Sequence, residues 1–378
     1  MMKILTALSK SNDVIVYCRG NPEGSTVVSE NTRGSLKVHR LGLMNHYVRP
    51  LHDIMVYRLL KKAYRRDKFD VLQVENSPGS IFVMLRTVFP KVGVFHGRST
   101  RELSYSVSEA FRRKEAGNLL KSGYWNLYTN ISDRVMASKS TSLIVTSPLV
   151  EQYAIGLGAR STRVFEVVNG VDLQEYDSYA RSTTKNDLRL KLGISPNEVV
   201  YVFHGSLDWD QNLRAVEQII RFRNYSSMHD YDGHVRRRFV IVGGPNRRVM
   251  EFTRQIATSD NITFTGYVQD VKPYLFAADI GIAPFPDNVE VGGPRIKILE
   301  FLAAGLPVVT TAGGIRGMEE IVKEQPVNIV RNADEFCRLK IAEAKVIKTR
   351  LQQFDWSRLA AENERILKEA AQGSFVPA

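Results

Sequence analysis

The stretch Glu290-Val291-Gly292-Gly293-Pro294-Arg295-Ile296-Lys297-Ile298-Leu299-Glu300-Phe301-Leu302-Ala303-Ala304-Gly305-Leu306-Pro307-Val308-Val309 spells a helix and the start of a strand. Two glycines make the turn that opens it. Pro294 suits the first helical position, where a missing N–H is no loss. Gly305 suits a left-handed C-terminal cap, and Pro307 bars continuation. Ile296, Leu299 and Ala303 are the expected buried stripe. Lys297 and Glu300, three apart, share the other face. The β-branched pair Val308-Val309 follows at once.

The same alternation runs through the second half of the chain. Val199 to Phe203 is followed by a stretch with apolar Leu213, Val216, Ile219 and Ile220. Phe239 to Val242 runs into Gly243-Gly244 and a helical stretch near 247–257; Ile262-Thr263-Phe264 precedes Gly266, and Ile280 to Ala283 precedes Pro284. Nearly continuous apolar strands separated by helices predict a parallel sheet covered on both faces, that is, a doubly wound α/β domain. The first half repeats the theme. Strands are expected at 14–17, 36–41, 71–74, 92–95 and 143–146, with helices near 51–66, 78–88 and 101–138. The polar run Ser182 to Asn186 reads as the linker. Two such domains facing each other across a cleft follow, over residues 1–183 and 184–355. Residues 356–378 are expected to form a C-terminal helix that packs back on the first domain.

The start of the chain departs from this scheme. Only a few residues separate Lys10 from Val14, too few for a crossover helix, which needs roughly 10–12. Residues 2–10 therefore read as a helix, with Ile4, Leu5 and Leu8 on its apolar face. The expectation is that the first strand and its glycine turn are missing, through truncation or a true start upstream.

Composition sets the remaining bounds. With 378 residues, 43% hydrophobic and 24% charged, the chain can build two cores and is no disordered tail or disulfide scaffold. Cys18 and Cys337, far apart in sequence, suit a reducing compartment. There is no apolar run of about 20 residues and no secretory pattern at the N-terminus. The net charge is +12, and residues 1–185 hold 27 Lys+Arg against 16 Asp+Glu, or +11. That asymmetry points to an anionic partner of the first half.

A helix N-terminus behind two glycines offers N–H groups to an anion. Lys297 adds a positive charge for a diphosphate, and Glu300 suits a pair of ribose hydroxyls. The bland alternative is an ordinary solvated ion pair on a helix surface.

Four ordered stretches bear on the choice: Val167-Val168-Asn169-Gly170-Val171-Asp172; Phe203-His204-Gly205-Ser206-Leu207-Asp208 with Asn212; Ile262 to Val268 with Ala277-Ala278-Asp279; and the glycine–lysine–glutamate helix. In this order they resemble the retaining, nucleotide-sugar-dependent glycosyltransferases of family 4, with their two-domain GT-B fold. The resemblance implies that Glu300 binds the donor ribose and that Lys297 and Arg295 meet the diphosphate. Gly292, Gly293, Gly205, Ser206 and Asn212 are implied around the sugar and phosphates, and Gly266, Tyr267 and Val268 around the base. His96 matches a first-domain histidine that faces the sugar; its bland reading is a satisfied strand-end histidine.

Two departures stand out. Many members place a second glutamate eight positions before the ribose one, and here that position is Gly292, with Glu290 two residues early. Many also have an arginine and a lysine after the first glycine, where this chain has Ser206 and Gln211. The alternative function is accordingly a degenerate GT-B protein that binds a nucleotide sugar without transfer.

The expected reaction is transfer from a nucleotide-diphosphate sugar to a glycan or lipid-linked glycan hydroxyl with retention. Cations and N–H groups would stabilise the departing diphosphate, and the resemblance implies that this phosphate can take the acceptor proton. No cofactor and no metal is implied. Nucleic acid is a poor partner, since no binding signature accompanies the charge, and no G-x-G-x-x-G supports a dinucleotide oxidoreductase. Basic clusters at Lys61-Lys62-Ala63-Tyr64-Arg65-Arg66 and Arg112-Arg113-Lys114 suit an anionic membrane surface, or an ordinary solvated face. Tyr57, Leu59, Leu60, Tyr64 and Phe69 suit either a membrane-lying helix or a core stripe. The expected location is cytoplasmic, peripheral on the inner face of the cell membrane.

Overall fold

The structure, a computed structural model, describes residues 2–19, 25–31, 34–41, 49–75, 80–98, 116–228, 236–244, 261–287, 295–339 and 345–373. Among these, one compact unit comprises the residues up to Val168 and those from Trp356 onward, and a second runs from Asn169 to Asp355.

In the second unit the apolar runs become the strands β8 (Glu198–His204), β9 (Arg236–Val242), β10 (Ile262–Gly266), β11 (Ile280–Ala283), β12 (Val308–Thr310) and β13 (Val327–Ile329). Their order in the sheet is β10-β9-β8-β11-β12-β13, and every neighbouring pair is parallel. This is the doubly wound order in which the winding reverses between the first and fourth strands, here β8 and β11. The strands are apolar on both faces because both are covered: Phe203, Phe239, Phe285, Phe301 and Phe336 are all fully buried. Each such side chain contributes roughly 1.5–3 kcal/mol by leaving water.

The first unit holds β4 (Leu72–Glu75), β5 (Lys91–Phe95), β6 (Ser142–Val145) and β7 (Val164–Glu166) as a parallel sheet in that order. Helices α3 (Ile81–Arg86), α4 (Ala116–Lys139) and α5 (Pro148–Gly156) close one face, through Met84, Met136, Val150 and Ala154. The C-terminal helix (Trp356–Gln372) closes the other, setting Leu359, Ile366 and Ala370 against Val92, Val94 and Ile144. It also meets the N-terminal helix α1 (Met2–Leu8), and Asn12 just beyond α1 donates to Glu364 at 2.9 Å. Beside these lies a three-stranded sheet of β1 (Asp13–Arg19), β2 (Ser25–Asn31) and β3 (Gly34–Leu41) in the order β1-β3-β2. β2 runs antiparallel to β3 and has no counterpart in the sequence reading, because its run Ser25-Thr26-Val27-Val28-Ser29-Glu30-Asn31 is too polar to stand out.

Helix α2 (Arg49–Asp67) resolves the membrane-or-core alternative for its apolar side chains. Leu60 and Ala63 are buried, and Tyr64 stacks among Phe69 and Phe89 with ring centroids 5.0 Å away. Lys61, Lys62, Arg65 and Arg66 are exposed. The cluster at Arg112-Arg113-Lys114 and the helical stretch expected near 247–257 lie outside the described residues. So does the first part of the helix expected over 101–138, of which α4 is the described remainder.

Residues 182–186 do not separate the units; the division falls between Val168 and Asn169. Asp172 caps helix α6 (Leu173–Ser182) by accepting from Glu175 N–H, and Thr184 caps helix α7 (Lys185–Lys191) two residues after α6 ends. Helix α6 belongs to the second unit because it packs on helix α9 (Lys272–Ala277): Glu175 pairs with Lys272 at 2.7 Å and Tyr179 packs on Phe276. Among the described residues no helix is long and apolar enough to cross a membrane.

Candidate active site

Doubly wound sheets bind ligands beyond the carboxyl ends of their strands, at the reversal point. In the second unit that point is the end of β8. The chain leaves His204 through Gly205, whose φ of +150° is a conformation that side-chain-bearing residues rarely adopt. A Cβ on Gly205 would stand 2.9 Å from Asn212 Nδ2 and 3.0 Å from Lys297 Nζ. The neighbouring strand presses as close: a Cβ on Gly243, just past β9, would meet the Gly205 carbonyl oxygen at 2.1 Å. Bare backbone is therefore required on both strand ends, and Gly205 N–H is fixed on the Val242 carbonyl at 2.9 Å.

Asn212 lies in the first turn of helix α8 (Asp210–Met228). Its amide donates to the Ser206 carbonyl at 2.7 Å, and its Oδ1 accepts from the Lys297 ammonium at 2.7 Å. Both ends of this side chain are thus committed inside the protein, which makes Asn212 the holder of Lys297.

Lys297 stands on helix α10 (Ile296–Ala303), which follows the next strand after the reversal. Its ammonium lies 4.2 Å from the centre of the Phe203 ring and 4.8 Å from that of Phe285. Burial, and then the Arg295 charge, lower its pKa well below the usual lysine value, against the pull of Glu300. Glu300 is also half-buried, and burial raises its carboxyl pKa despite Lys297 and the hydroxyl of Tyr176. These are not the features of a solvated helix pair. α10 is buried through Ile298, Leu299, Phe301, Leu302 and Ala303, and the two charged residues occupy what remains.

The helix departs from its sequence reading at its start. It begins at Ile296, with Arg295 in the N-cap position, and Ile296 itself is 39% exposed. The buried stripe is set by Ile298 and Phe301 in its place. Arg295 is buried, with its guanidinium 3.5 Å above the Phe285 ring and Nη2 donating to the Gly313 carbonyl at 3.1 Å. Its charge reaches the site through Lys297. Gly292, Gly293, Pro294 and Glu290 lie outside the described residues.

Gly266 ends β10 and its carbonyl accepts from Gly243 N–H at 3.1 Å, which places the Gly266-Tyr267-Val268 turn beside the Gly205 turn. Tyr267 is 84% exposed there, and Ser206 is exposed as well. An open pocket of about 450 Å³ between α6 and Lys272, lined by Asp172, Glu175, Tyr179 and Lys272 among others, takes in none of the sequence-predicted residues.

Two residues at this site have no assigned role in the sequence reading. His204 is buried, with Nε2 3.3 Å from Glu300 Oε2 but no hydrogen bond from that nitrogen. Burial first and the Lys297 charge second push its pKa down to about 3, so the ring is neutral. Tyr176, buried on α6, turns its hydroxyl toward Glu300, and burial raises its pKa. The signal for His204 was a polar residue closing the run Val199 to Phe203; nothing in local spacing marked Tyr176.

His96 belongs to the first unit and follows the last residue of β5. Its Nε2 is 2.6 Å from Oε2 of Glu75, the last residue of the adjacent strand β4.

Known proteins fit this architecture. The family model described as Glycosyltransferase Family 4 matches residues 2–175, and the one described as Glycosyl transferases group 1 matches residues 198–341. An uncharacterized glycosyltransferase of Methanocaldococcus jannaschii is 23% identical over 252 residues. That match spans 60% of this chain and 60% of the relative's length. Among solved structures, sucrose-phosphate synthase from Thermosynechococcus elongatus superposes with a TM-score of 0.71 at 16% identity, over 96% of this chain and 90% of that one. Anabaena HepE in complex with UDP and glucose superposes with a TM-score of 0.62 at 15% identity, over 88% and 86%. With one family model on each half of the sequence and a parallel α/β fold shared with these solved structures, the chain belongs to the GT-B glycosyltransferases of the group 1/family 4 type.

Proposed function

We propose that this protein moves a sugar from a nucleotide-diphosphate donor to a hydroxyl acceptor, with retention of anomeric configuration. The observation that carries the reading is the half-buried Lys297 ammonium, held by Asn212 against the Gly205 turn at the reversal point of the sheet. A cation kept in so dry a place favours a compact, multiply charged anion, and a diphosphate supplies one. Its arrival also supplies the negative charge that restores the proton which burial weakens on Lys297.

In this reading Lys297 meets the diphosphate, and Arg295 adds charge from behind it. Glu300 accepts from the ribose hydroxyls, and the turn at Gly266, Tyr267 and Val268 borders the base. Ser206 and Gly205 approach the phosphates through backbone, as Gly292 and Gly293 would. His96 hydrogen-bonds the transferred sugar. Breaking the sugar–phosphate bond builds charge on the leaving diphosphate, and fixed cations lower that barrier because they need no reorganisation. The reading calls on no resident cofactor or metal. HepE was solved with UDP and glucose, which supports a nucleoside-diphosphate sugar here.

The acceptor in this reading is a glycan or lipid-linked glycan. The exposed basic residues of α2 suit an anionic inner leaflet, where such an acceptor is held. Binding to vesicles with acidic lipid, lost on reversing the charges of Lys61, Lys62, Arg65 and Arg66, tests that part. The transfer itself is tested with a panel of UDP-, GDP-, ADP- and dTDP-sugars. Release of the nucleoside diphosphate from one of them is expected, with a product of unchanged anomeric configuration. An inverted product removes the retaining reaction, and no turnover with any donor removes the function.

A further inference from the structure

The parallel strands β4 and β5 end side by side, with Glu75 paired to Val94 in the register, so Glu75 and His96 leave the same carboxyl edge of the first unit's sheet. At 2.6 Å, the Oε2–Nε2 separation is that of a charge-assisted hydrogen bond. The other carboxylate oxygen of Glu75 accepts from the side-chain amide of Gln73. The backbone of His96 is pinned as well, since its carbonyl accepts from Thr146 Oγ1 at 3.1 Å. Neighbouring strand ends on both sides therefore hold His96, Glu75 through its ring and Thr146 through its backbone. Its side chain is nevertheless 36% exposed, and among the described residues Nδ1 has no hydrogen-bond partner.

An ionised carboxylate only accepts, so the proton of the Glu75–His96 bond belongs to Nε2. In the neutral ring that leaves a lone pair on Nδ1, at the edge where doubly wound sheets meet their ligands. An edge ion pair with no further task would be worth only about 0–1 kcal/mol and would need neither Gln73 nor Thr146.

We propose that Glu75 is a positioning residue: it holds His96 with Nε2–H inward and presents Nδ1 as a hydrogen-bond acceptor to a hydroxyl of the reacting sugars. The proposal rests on the assignment of His96 to the transferred sugar made above. It adds a residue that the motif pattern does not contain. Glu75 touches no reacting atom itself and acts through the ring, as an orienting carboxylate does.

The test uses the full chain, with its ring signals assigned by comparison with His96→Asn. Long-range proton–nitrogen spectra at mildly alkaline pH should show a far-downfield proton on Nε2 of His96 and an unprotonated Nδ1. The downfield proton should vanish in Glu75→Leu and persist, weakened, in Glu75→Gln, whose amide oxygen can still accept. With whichever nucleotide sugar of the panel turns over, Glu75→Leu should lower kcat by about 10-fold or more, leaving the donor KM within about 2-fold. Glu75→Gln should recover part of the loss. A proton on Nδ1, a downfield signal indifferent to Glu75→Leu, or full kcat in Glu75→Leu alongside a crippled His96→Asn overturns the positioning role. Full activity in His96→Asn overturns instead the assignment of His96 on which the proposal stands.

Discussion

Replacing Gly205 with alanine perturbs the proposed donor site by the smallest chemical change available. Two separable effects follow. First, a φ of +150° is strained for any residue with a side chain, which costs about 1–3 kcal/mol. Second, the new methyl stands 2.9 Å from Asn212 Nδ2 and 3.2 Å from Asn212 Cγ, so that side chain must move by several tenths of an ångström. Its bonds to the Ser206 carbonyl and to Lys297, both 2.7 Å, then lengthen together. A hydrogen bond to a charged group is worth about 1.5–3 kcal/mol, of which a partial loss is expected. The sum is roughly 3 kcal/mol, with Lys297 displaced and donor turnover lost beyond what stability explains. Urea unfolding followed through Trp209, four residues along in the same unit, reads the change once Trp125 and Trp356 of the other unit are replaced by Phe. Because two of the three closest contacts are with Asn212, the third being Lys297 Nζ at 3.0 Å, the same substitution in an Asn212→Ala background should cost at least about 1 kcal/mol less. A loss below about 1 kcal/mol in the single variant, or strict additivity in the double one, refutes the picture of Asn212 and Gly205 in mutual contact.

Other expectations follow from single residues. His204 has its pKa lowered to about 3 in the folded protein, below its ordinary value, so between those values the unfolded chain binds the extra proton. Stability from this group is complete above the unfolded pKa of about 6.5 and falls as the medium is acidified toward about 3. Relative to wild type, His204→Gln should remove about 2 kcal/mol of the stability difference between about pH 7 and about pH 5, and an unchanged difference contradicts a buried neutral ring. Buried Lys91 donates to the Met84 and Thr87 carbonyls, at 3.2 and 2.8 Å, where α3 ends. Lys91→Met keeps the apolar stem and strands both carbonyls, so a loss of about 1–3 kcal/mol is expected in thermal unfolding; a neutral result shows that water replaces the ammonium.

The second unit was the more legible half, for a physical reason. Strands buried on both faces read as unbroken apolar runs, and the expected 280–283 strand is β11 to the residue. Edge elements carry no such signature: β2, β7 and β13 are short or polar and went unread. Boundaries failed where capping competes with linker chemistry. The polar run at 182–186 is two helix ends meeting, and Thr184 there is a cap. At the site, spacing alone showed that Lys297 and Glu300 share a helix face. It did not show that the face is half-buried, because burial there comes from Phe203, Phe285 and Tyr176, contributed by other elements. Ile296 was misassigned for the same reason, since periodicity fixes a stripe only to within its rotation about the helix. Glu75 carries no local signal and the polar end of a strand gives His204 no role, because their partners are twenty-one and ninety-six positions away.

The central claim, that the carboxyl edge of the second unit holds a diphosphate through Lys297, is tested most directly by calorimetry with nucleoside diphosphates and the corresponding monophosphates. One diphosphate should bind wild-type protein more tightly than its monophosphate. Lys297→Met should weaken the diphosphate by roughly 10- to 100-fold, the worth of a charge-assisted hydrogen bond, and leave the monophosphate nearly unchanged. If Lys297→Met binds both nucleotides as wild type does, Lys297 is no phosphate ligand and the account of the site is wrong.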